Sequence, residues 1–117
     1  MRKEIEQSNF QRGVLSMLIL SLLQHSDMYG YELVQKIAQI SEGAIQTQEG
    51  SLYPVLYKLS EEGLLSDEKR LVGKRMQRVY YHLEPAGRAY LQTLITEYKA
   101  VTRGVFRILT MEEEENE

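Results

Sequence analysis

The chain has 117 residues, 43% of them hydrophobic and 26% charged, which is the composition of one globular domain rather than of a disordered segment. It contains no cysteine, and this excludes disulfides, thiolate metal sites and a cysteine nucleophile. The net charge of −3 conceals a local positive excess, because five of the 17 acidic residues lie in Glu112–Glu117, while Ser66–Leu83 carries five basic and two acidic side chains. Attraction to phosphates is screened beyond about 8–10 Å at physiological salt, so this patch matters more than the total charge.

Two helices are predicted in the first third of the chain. Gln11–His25 is apolar almost all round, which is typical of a helix buried on several sides. Ser26 or Asp27 is expected to cap a second helix over Tyr29–Ile40, which is expected to stop near Gly43.

The longest apolar stretch, Val14–Leu23, has ten residues and is interrupted by Ser16 and Ser21. It is too short to cross a bilayer and lies too far inside the chain for a signal segment. Together with the absence of cysteine, this favours a cytoplasmic protein with no membrane partner.

A short third helix is predicted after Thr47, its expected N-terminal cap. Leu52, Leu56 and Leu59 lie on one face, and Gly63 is expected to end the helix as its C-terminal cap. The opposite face carries Gln48, Ser51 and Lys58. An amide such as that of Gln48 can pair with an adenine edge, and a serine hydroxyl can bind bases or phosphates.

Two strand-like runs follow Gly63 and are separated by a turn at Gly73, which predicts a β-hairpin. In the second run Val79, Tyr81 and Leu83 alternate with other residues, which gives one buried and one exposed face. The basic residues of the hairpin are Lys69, Arg70, Lys74, Arg75 and Arg78. A short helix that can enter a DNA groove, followed by a cationic hairpin that can lie along the phosphates, indicates a winged helix-turn-helix domain.

Pro85 suits the first position of a fourth helix, which is predicted to continue to about Leu109. Its apolar residues repeat at heptad spacing, at Leu91, Leu94, Tyr98, Val101, Val105 and Ile108. Because the first helix and the hairpin already fill a small core, we expect this seam, together with Val14 and Leu18, to pair two copies of the chain. Packing of the seam on its own domain is the alternative.

Six short motifs occur in order over about residues 10–110. They are Gly13-Val14-Leu15, Met28-Tyr29-Gly30-Tyr31-Glu32, Glu49-Gly50-Ser51-Leu52-Tyr53-Pro54, Lys58-Leu59, Gly63-Leu64-Leu65 and Arg78-Val79-Tyr80-Tyr81-His82-Leu83. Together they resemble the PadR family of winged-helix transcriptional regulators, in its short form with a single C-terminal helix. The expected fold is mostly α with a small β-hairpin. We predict a winged helix-turn-helix domain over residues 1–83, a dimerisation helix over 84–110 and a disordered acidic tail over 111–117.

The resemblance implies a repressor that acts as a homodimer on double-stranded DNA at a pseudo-palindromic operator, with no cofactor and no metal. The residues expected to contact DNA are Tyr29, Gln48, Ser51, Tyr53, Pro54, Lys58, Lys74, Arg75 and Arg78. Of Tyr53 and Tyr57, one is expected to contact a phosphate and the other to pack, and the sequence leaves open which does which.

Some short relatives bind flat cationic drugs between tryptophans at the dimer centre. This chain has no tryptophan, and tyrosine is a weaker cation–π partner. Tyr98 lies at about the corresponding place, and Phe10, Val14 and Met17 are expected to form the other wall. We expect a small apolar or planar cationic ligand there, which would release DNA by changing the dimer.

Catalysis is not expected, because neither His25 nor His82 has a carboxylate at the spacing of a metal site or a catalytic triad. Gly73 fits a hairpin turn rather than a phosphate-binding loop. The alternative function is a winged helix that binds proteins, since fold does not fix function. The basic residues of the hairpin favour DNA over this alternative.

Overall fold

The computed structural model describes residues 2–111 and, within the first helix, the side chains from Gly13 onward. The elements in this part of the chain are α1 (Arg2–Leu23), β1 (Met28–Tyr29), α2 (Gly30–Ile40), α3 (Glu49–Glu61), β2 (Leu65–Val72), β3 (Met76–Leu83) and α4 (Pro85–Leu109). The predicted mostly α fold with a small hairpin is confirmed. α1 begins well before its predicted start at residue 11, and the acidic residues from 112 onward lie outside the described part.

The strands form one antiparallel sheet in the order β1-β3-β2. β2 and β3 pair along their whole length, and Gly73 makes the turn between them with a φ of +72°. β1 pairs with the other edge of β3, where Tyr29 lies opposite Tyr80. The sequence does not predict β1, because two residues show no alternation. Tyr29 was placed in the second helix by prediction, which is wrong: its backbone is extended, and α2 begins at Gly30.

The core lies between α1, α2, α3, the inner face of the sheet and the beginning of α4. Its largest fully buried side chains are Ile19, Leu20, Leu33, Leu52, Leu56 and Leu91. Leu91 corrects the predicted dimer seam, because it is covered completely by its own chain where α4 packs against α1. The first turns of α4 therefore belong to the same core as the winged helix, and the division at residue 83 stays a prediction.

The predicted N-terminal caps of α2 and α3 are wrong. The cap positions belong to Tyr29 and Gln48, and neither side chain makes a capping hydrogen bond. Thr47 lies one residue too early, and Ser26 and Asp27 precede β1 rather than α2. For α2, local sequence preferences give the wrong cap because its start is held by the pairing of β1 with β3, a contact between distant parts of the chain.

Gly63 ends α3 as predicted. Its φ of +79° is left-handed, a conformation that glycine adopts without strain. The Gly63 N–H donates to the Ser60 carbonyl at 3.1 Å, and the Leu64 N–H donates to the Leu59 carbonyl at 3.0 Å, which are the two bonds of a Schellman motif. The chain therefore turns directly from α3 into β2.

A backbone joint connects the end of α3 to the start of α4. The Glu84 N–H donates to the Leu64 carbonyl at 3.1 Å. The same carbonyl oxygen lies so close to Gly87 that a Cβ atom there would collide with it. Only glycine lets α4 approach this turn so closely.

Candidate nucleic-acid interface

α3 has one buried and one exposed face, so it can be held on the core while presenting side chains outward. Its buried residues are Leu52, Val55, Leu56 and Leu59. The residues predicted to contact DNA that lie on its exposed surface or at its start are Gln48, Ser51, Tyr53, Pro54 and Lys58. The structure therefore brings these five predicted residues together on one surface.

Tyr53 fills the space between the start of α2 and α3. A Cβ atom added at Gly30 would lie 2.7 Å from the Tyr53 hydroxyl oxygen, so the ring rests directly on the glycine backbone. The hydroxyl donates to Glu49 Oε2 at 3.1 Å, and burial, followed by the nearby Glu49 carboxylate, raises the pKa of Tyr53. Tyr57 is more exposed, at 71% against 44% for Tyr53. The packing role therefore belongs to Tyr53, which leaves Tyr57 as a surface residue absent from the predicted set.

The β2–β3 hairpin, residues 65–83, is the wing. Lys74 and Arg75 are exposed at its turn, and no carboxylate among the side chains described, residues 13–111, pairs with them. Arg78 is half-buried instead, and its guanidinium carbon lies 4.2 Å from the centre of the Tyr29 ring. Tyr29 and Arg78, predicted as separate contacts, thus form one stacked pair on the outer face of the sheet.

Asp27 joins the wing to the segment that precedes α2. Its Oδ2 accepts a hydrogen bond from Arg70 Nη2 at 2.7 Å, and its Oδ1 lies 2.7 Å from His82 Nδ1. The hydrogen bond from His82, opposed by burial and assisted by Arg70, lowers the pKa of Asp27. His82, which has no carboxylate at the spacing of a metal site or a catalytic triad, thus has one as a partner in the folded chain. No spacing rule could have found this pair, because 55 residues separate its members.

Two arginines and two tyrosines stack on the same outer face. Arg70 lies 4.5 Å from the centre of the Tyr80 ring, and the Tyr80 and Tyr29 rings meet edge to face with 5.4 Å between their centres. Cation–π contacts of this kind fix a guanidinium in place. The charge of Arg70 is thus engaged within the protein, whereas the cations at the wing turn face solvent.

The second half of α4 presents an apolar surface to solvent. Its large exposed apolar residues are Tyr98, Val101, Val105, Phe106, Ile108 and Leu109. Leu94 is half-buried against the core, and Leu91 is fully buried. The predicted seam therefore has two parts: the first packs on its own domain, as the alternative proposed, and the second is uncovered in the single chain.

A cavity of about 220 Å³ lies between α1, the α2–α3 loop and α4. Of the predicted ligand residues, Val14 and Tyr98 line it, together with Leu18 and Ile45. Met17 is partly buried against the core and is not among the residues that line this cavity, so its assignment to the wall stays a prediction. The side chain of Phe10 lies outside the described residues.

Among the side chains of residues 13–111, no group of three potential metal ligands is arranged to hold an ion. None of the helices described in this range is both long and apolar enough to cross a bilayer.

Comparison with known proteins identifies the family. The sequence profile of the transcriptional regulator PadR-like family matches residues 19–93. The chain belongs to this family. Transcriptional regulator Rv3488 of Mycobacterium tuberculosis is 38% identical to this PadR-like chain over 82 residues, which cover 70% of the chain and 73% of that protein.

Solved structures of PadR proteins share the fold. A PadR family transcriptional regulator from Eggerthella lenta is 31% identical with a TM-score of 0.75, over 92% of this chain and 95% of its own. Bacillus subtilis PadR in complex with operator DNA is 24% identical with a TM-score of 0.65, over 70% of this chain and 47% of that one. At that identity the likeness to the operator complex shows the fold alone.

The PadR-like match runs from the second half of α1 to the first half of α4. It contains α3 and the whole wing, where most of the predicted DNA-contacting residues lie. It ends at residue 93, before the exposed apolar part of α4 that begins at Tyr98. The family profile therefore carries no information about the far half of α4.

Proposed function

We propose that this PadR-like regulator is a sequence-specific DNA-binding repressor that acts as a homodimer on a pseudo-palindromic operator. The observation that carries the proposal is the position of a helix with a polar exposed surface directly before a wing that presents Lys74 and Arg75 to solvent. Such a helix fits the major groove, and such a wing follows the phosphates. Bacillus subtilis PadR, named a negative transcriptional regulator and solved with operator DNA, supplies the analogy.

In the proposed complex, α3 reads the groove with short side chains. Gln48 pairs with an adenine edge, Ser51 binds a base or a phosphate, and Lys58 binds a phosphate. Lys74 and Arg75 hold the phosphates beside it. Because α3 carries no arginine, phosphate contacts dominate the affinity, and part of the specificity comes from DNA shape.

The aromatic residues of the interface divide between support and contact. Tyr53 supports α3 against Gly30, while its partly exposed edge and Pro54 lie at the DNA surface. Tyr29 and Arg78 approach the backbone as one stacked unit at the start of α2. Tyr57, which is 71% exposed, adds a further phosphate contact.

The uncovered half of α4 supports the homodimer. Val101 and Ile108 each expose more than 60% of their surface, and monomeric proteins rarely leave a contiguous apolar face of this kind open. Two-fold pairing of α4 from Tyr98 onward buries it, with Val14 and Leu18 at the edge. The pairing has to place the two α3 helices about 34 Å apart, which is one turn of DNA.

The cavity beside Tyr98 supports release of the operator by a ligand. Its wall of Val14, Leu18 and Ile45 suits a small apolar or planar cationic molecule, and the tyrosine ring offers a face for the cation. Such a ligand shifts DNA binding only if it binds one dimer geometry better than the other. A planar cationic dye should quench tyrosine fluorescence and release bound DNA. If it does neither at saturating concentration, the ligand part of the proposal is wrong.

A second function, binding to another protein through the wing, is favoured by one observation. Leu71 and Met76 are large apolar residues near the wing turn and expose 64% and 57% of their surface. A protein partner would cover them. Lys74 and Arg75, which lie between them, favour phosphate binding instead. Salt dependence distinguishes the two functions, because apolar contacts do not weaken with salt as phosphate contacts do.

The deciding experiment is a gel shift of the full chain against the DNA upstream of its own gene, repeated over a series of salt concentrations. We expect the logarithm of the binding constant to fall linearly with the logarithm of the salt concentration. Replacing Arg75 with alanine should reduce the steepness of that slope by about 0.9. Arg88→Ala, an exposed arginine at the start of α4, is the matched control and should leave the slope unchanged. A wild-type chain that binds no duplex at low salt would refute the DNA-binding function.

A further inference from the structure

We propose that Asp27 is a positioning residue that sets the angle of the wing against the start of α2, and thereby the preference of the protein for its operator over other DNA. The inference rests on the proposed DNA-binding function and deepens it. Its basis is the single carboxylate that holds a side chain from each strand of the wing.

The Asp27 carboxylate forms a bridge between three segments of the chain. Asp27 lies immediately before β1, Arg70 lies on β2, and His82 lies on β3. Each of the two carboxylate oxygens of Asp27 is 2.7 Å from its partner nitrogen. Charge-assisted hydrogen bonds of this length are the strong kind. The Asp27 side chain is 27% exposed, so solvent screens these contacts less than it screens a pair on an open surface.

Neighbouring side chains support the bridge on both sides. The Arg70 guanidinium also lies over the Tyr80 ring, which meets the ring of Tyr29 at the start of α2. On the other side, His82 Nε2 lies 3.9 Å from Glu84 Oε2, and this same oxygen accepts a hydrogen bond from Ser66 at 2.8 Å. The bridge is therefore part of a network that covers the outer face of the sheet.

Arg70 links the bridge to the outer end of the wing. It pairs across the strands with Arg78 and lies close to the turn that carries Lys74 and Arg75. The residues of the turn itself, 73–77, are all exposed. The direction in which the turn points is consequently decided further back, where Asp27 holds Arg70 and His82.

Simple electrostatics predicts a different effect on DNA affinity when Asp27 is removed. Removing an acidic group near a phosphate-binding surface should strengthen binding to every DNA, because repulsion falls. If Asp27 positions the wing, its removal should instead weaken binding to the operator selectively, since wing contacts fix the register of the protein on the duplex.

The experiment compares D27N with D67N in the full-length chain. Asp67 is an exposed residue of β2, and no ion pair of the described residues includes it, so D67N makes the same charge change without touching the bridge. One probe is the duplex that the wild-type protein selects from a random library, and the other is a mixed-sequence duplex. Fluorescence anisotropy gives the dissociation constant of each variant for each probe.

We expect D27N to lower the ratio of selected to mixed-sequence affinity about tenfold, in line with the loss of a charged hydrogen bond. D67N should leave the ratio unchanged. R70Q should reproduce most of the D27N loss, and the double variant should lose no more than the worse single variant, because both act through one contact. Amides of residues 70–78 should exchange faster in D27N than in D67N.

Several results would overturn the inference: an equal ratio in D27N and D67N, additive losses in the double variant, or unchanged amide exchange. Circular dichroism checks folding, and if D27N does not fold, R70Q at a half-buried strand position and H82Q at an exposed one carry the same comparison. A wild-type protein that selects no duplex refutes the DNA-binding function itself. A wild type that selects a duplex while D27N retains the full ratio refutes only the role of Asp27.

Discussion

The base of the wing and the far half of α4 differ in how completely one chain satisfies them. At the wing base, Asp27 meets two partners at 2.7 Å, and the arginines lie on tyrosine rings. In the far half of α4, Val101, Val105 and Ile108 lie open to solvent. Polar groups are satisfied by a few directional contacts, whereas apolar groups need a large covering surface. A small domain can therefore complete the first region alone, and in the proposed homodimer the second region is covered by the other copy.

A charge placed in the uncovered half of α4 should have the largest effect. Val105→Glu should weaken the dimer by about 3–5 kcal/mol, because an unpaired carboxylate would be buried between the two copies. Analytical ultracentrifugation measures the change in dissociation constant. Ala100→Glu, an exposed position away from the seam, is the control and should leave it unchanged. A Val105→Glu chain that still sediments as a tight dimer would move the interface elsewhere.

Substitutions in the two halves of α4 should differ in how their effect on the free energy of unfolding depends on protein concentration. Leu91→Ala should lower the free energy of unfolding by about 2–5 kcal/mol at any protein concentration, because its side chain is fully buried within one chain. Val105→Ala should destabilise the protein only where dimers form, since association contributes to stability by mass action. Urea titrations at high and low protein concentration test both. A Leu91→Ala effect that disappears on dilution would return Leu91 to the interface.

A third prediction concerns the contact between α2 and α3. Gly30→Ala should destabilise the domain by about 1–3 kcal/mol, because the new methyl group would collide with the Tyr53 ring. Thermal denaturation measures this effect. Tyr53→Phe in the Gly30→Ala background should recover part of the loss, since the hydroxyl oxygen is the nearest atom. Gly50→Ala is the matched control, because its added Cβ meets nothing within 4 Å. Equal losses at both glycines would rule out the collision.

The smallest expected effect is the pH dependence at the wing base. The hydrogen bond with His82 lowers the pKa of Asp27 from its ordinary 3.8. Burial partly offsets this decrease, and Arg70 lowers the pKa further. A carboxyl group with a lowered pKa in the folded state stabilises the protein above its unfolded pKa, and this contribution is lost as the pH falls through the folded pKa. Wild type should therefore exceed D27N in melting temperature at neutral pH, and the difference should shrink below about pH 4. A difference that stays constant down to acid would show that the charge of Asp27 contributes nothing.

The helices and the hairpin could be predicted because their signals are local. Leucines at helical spacing, glycine at positions 63 and 73 and proline at position 85 mark where elements begin and end. Gly63 and Pro85 occupy the predicted places. These features depend on neighbours within a few residues, so one sequence is sufficient to find them.

The errors concern residues whose role depends on distant partners. Asp27 is of a residue type that often caps helices, but it binds Arg70 and His82, which lie 43 and 55 residues away. Leu91 has the same heptad spacing as Val105, yet only Leu91 meets α1 and the core. Periodicity shows that a face is apolar without showing what covers it.

The joint between the end of α3 and the start of α4 has a mechanical consequence. The Leu64 carbonyl accepts a hydrogen bond from the Glu84 N–H and contacts Gly87, so the end of α3 and the start of α4 are held together at one point. α4 extends about 38 Å from that point. If two copies pair through the far ends of α4 as proposed, a change in that pairing that rotates α4 about this joint would tilt α3 together with it.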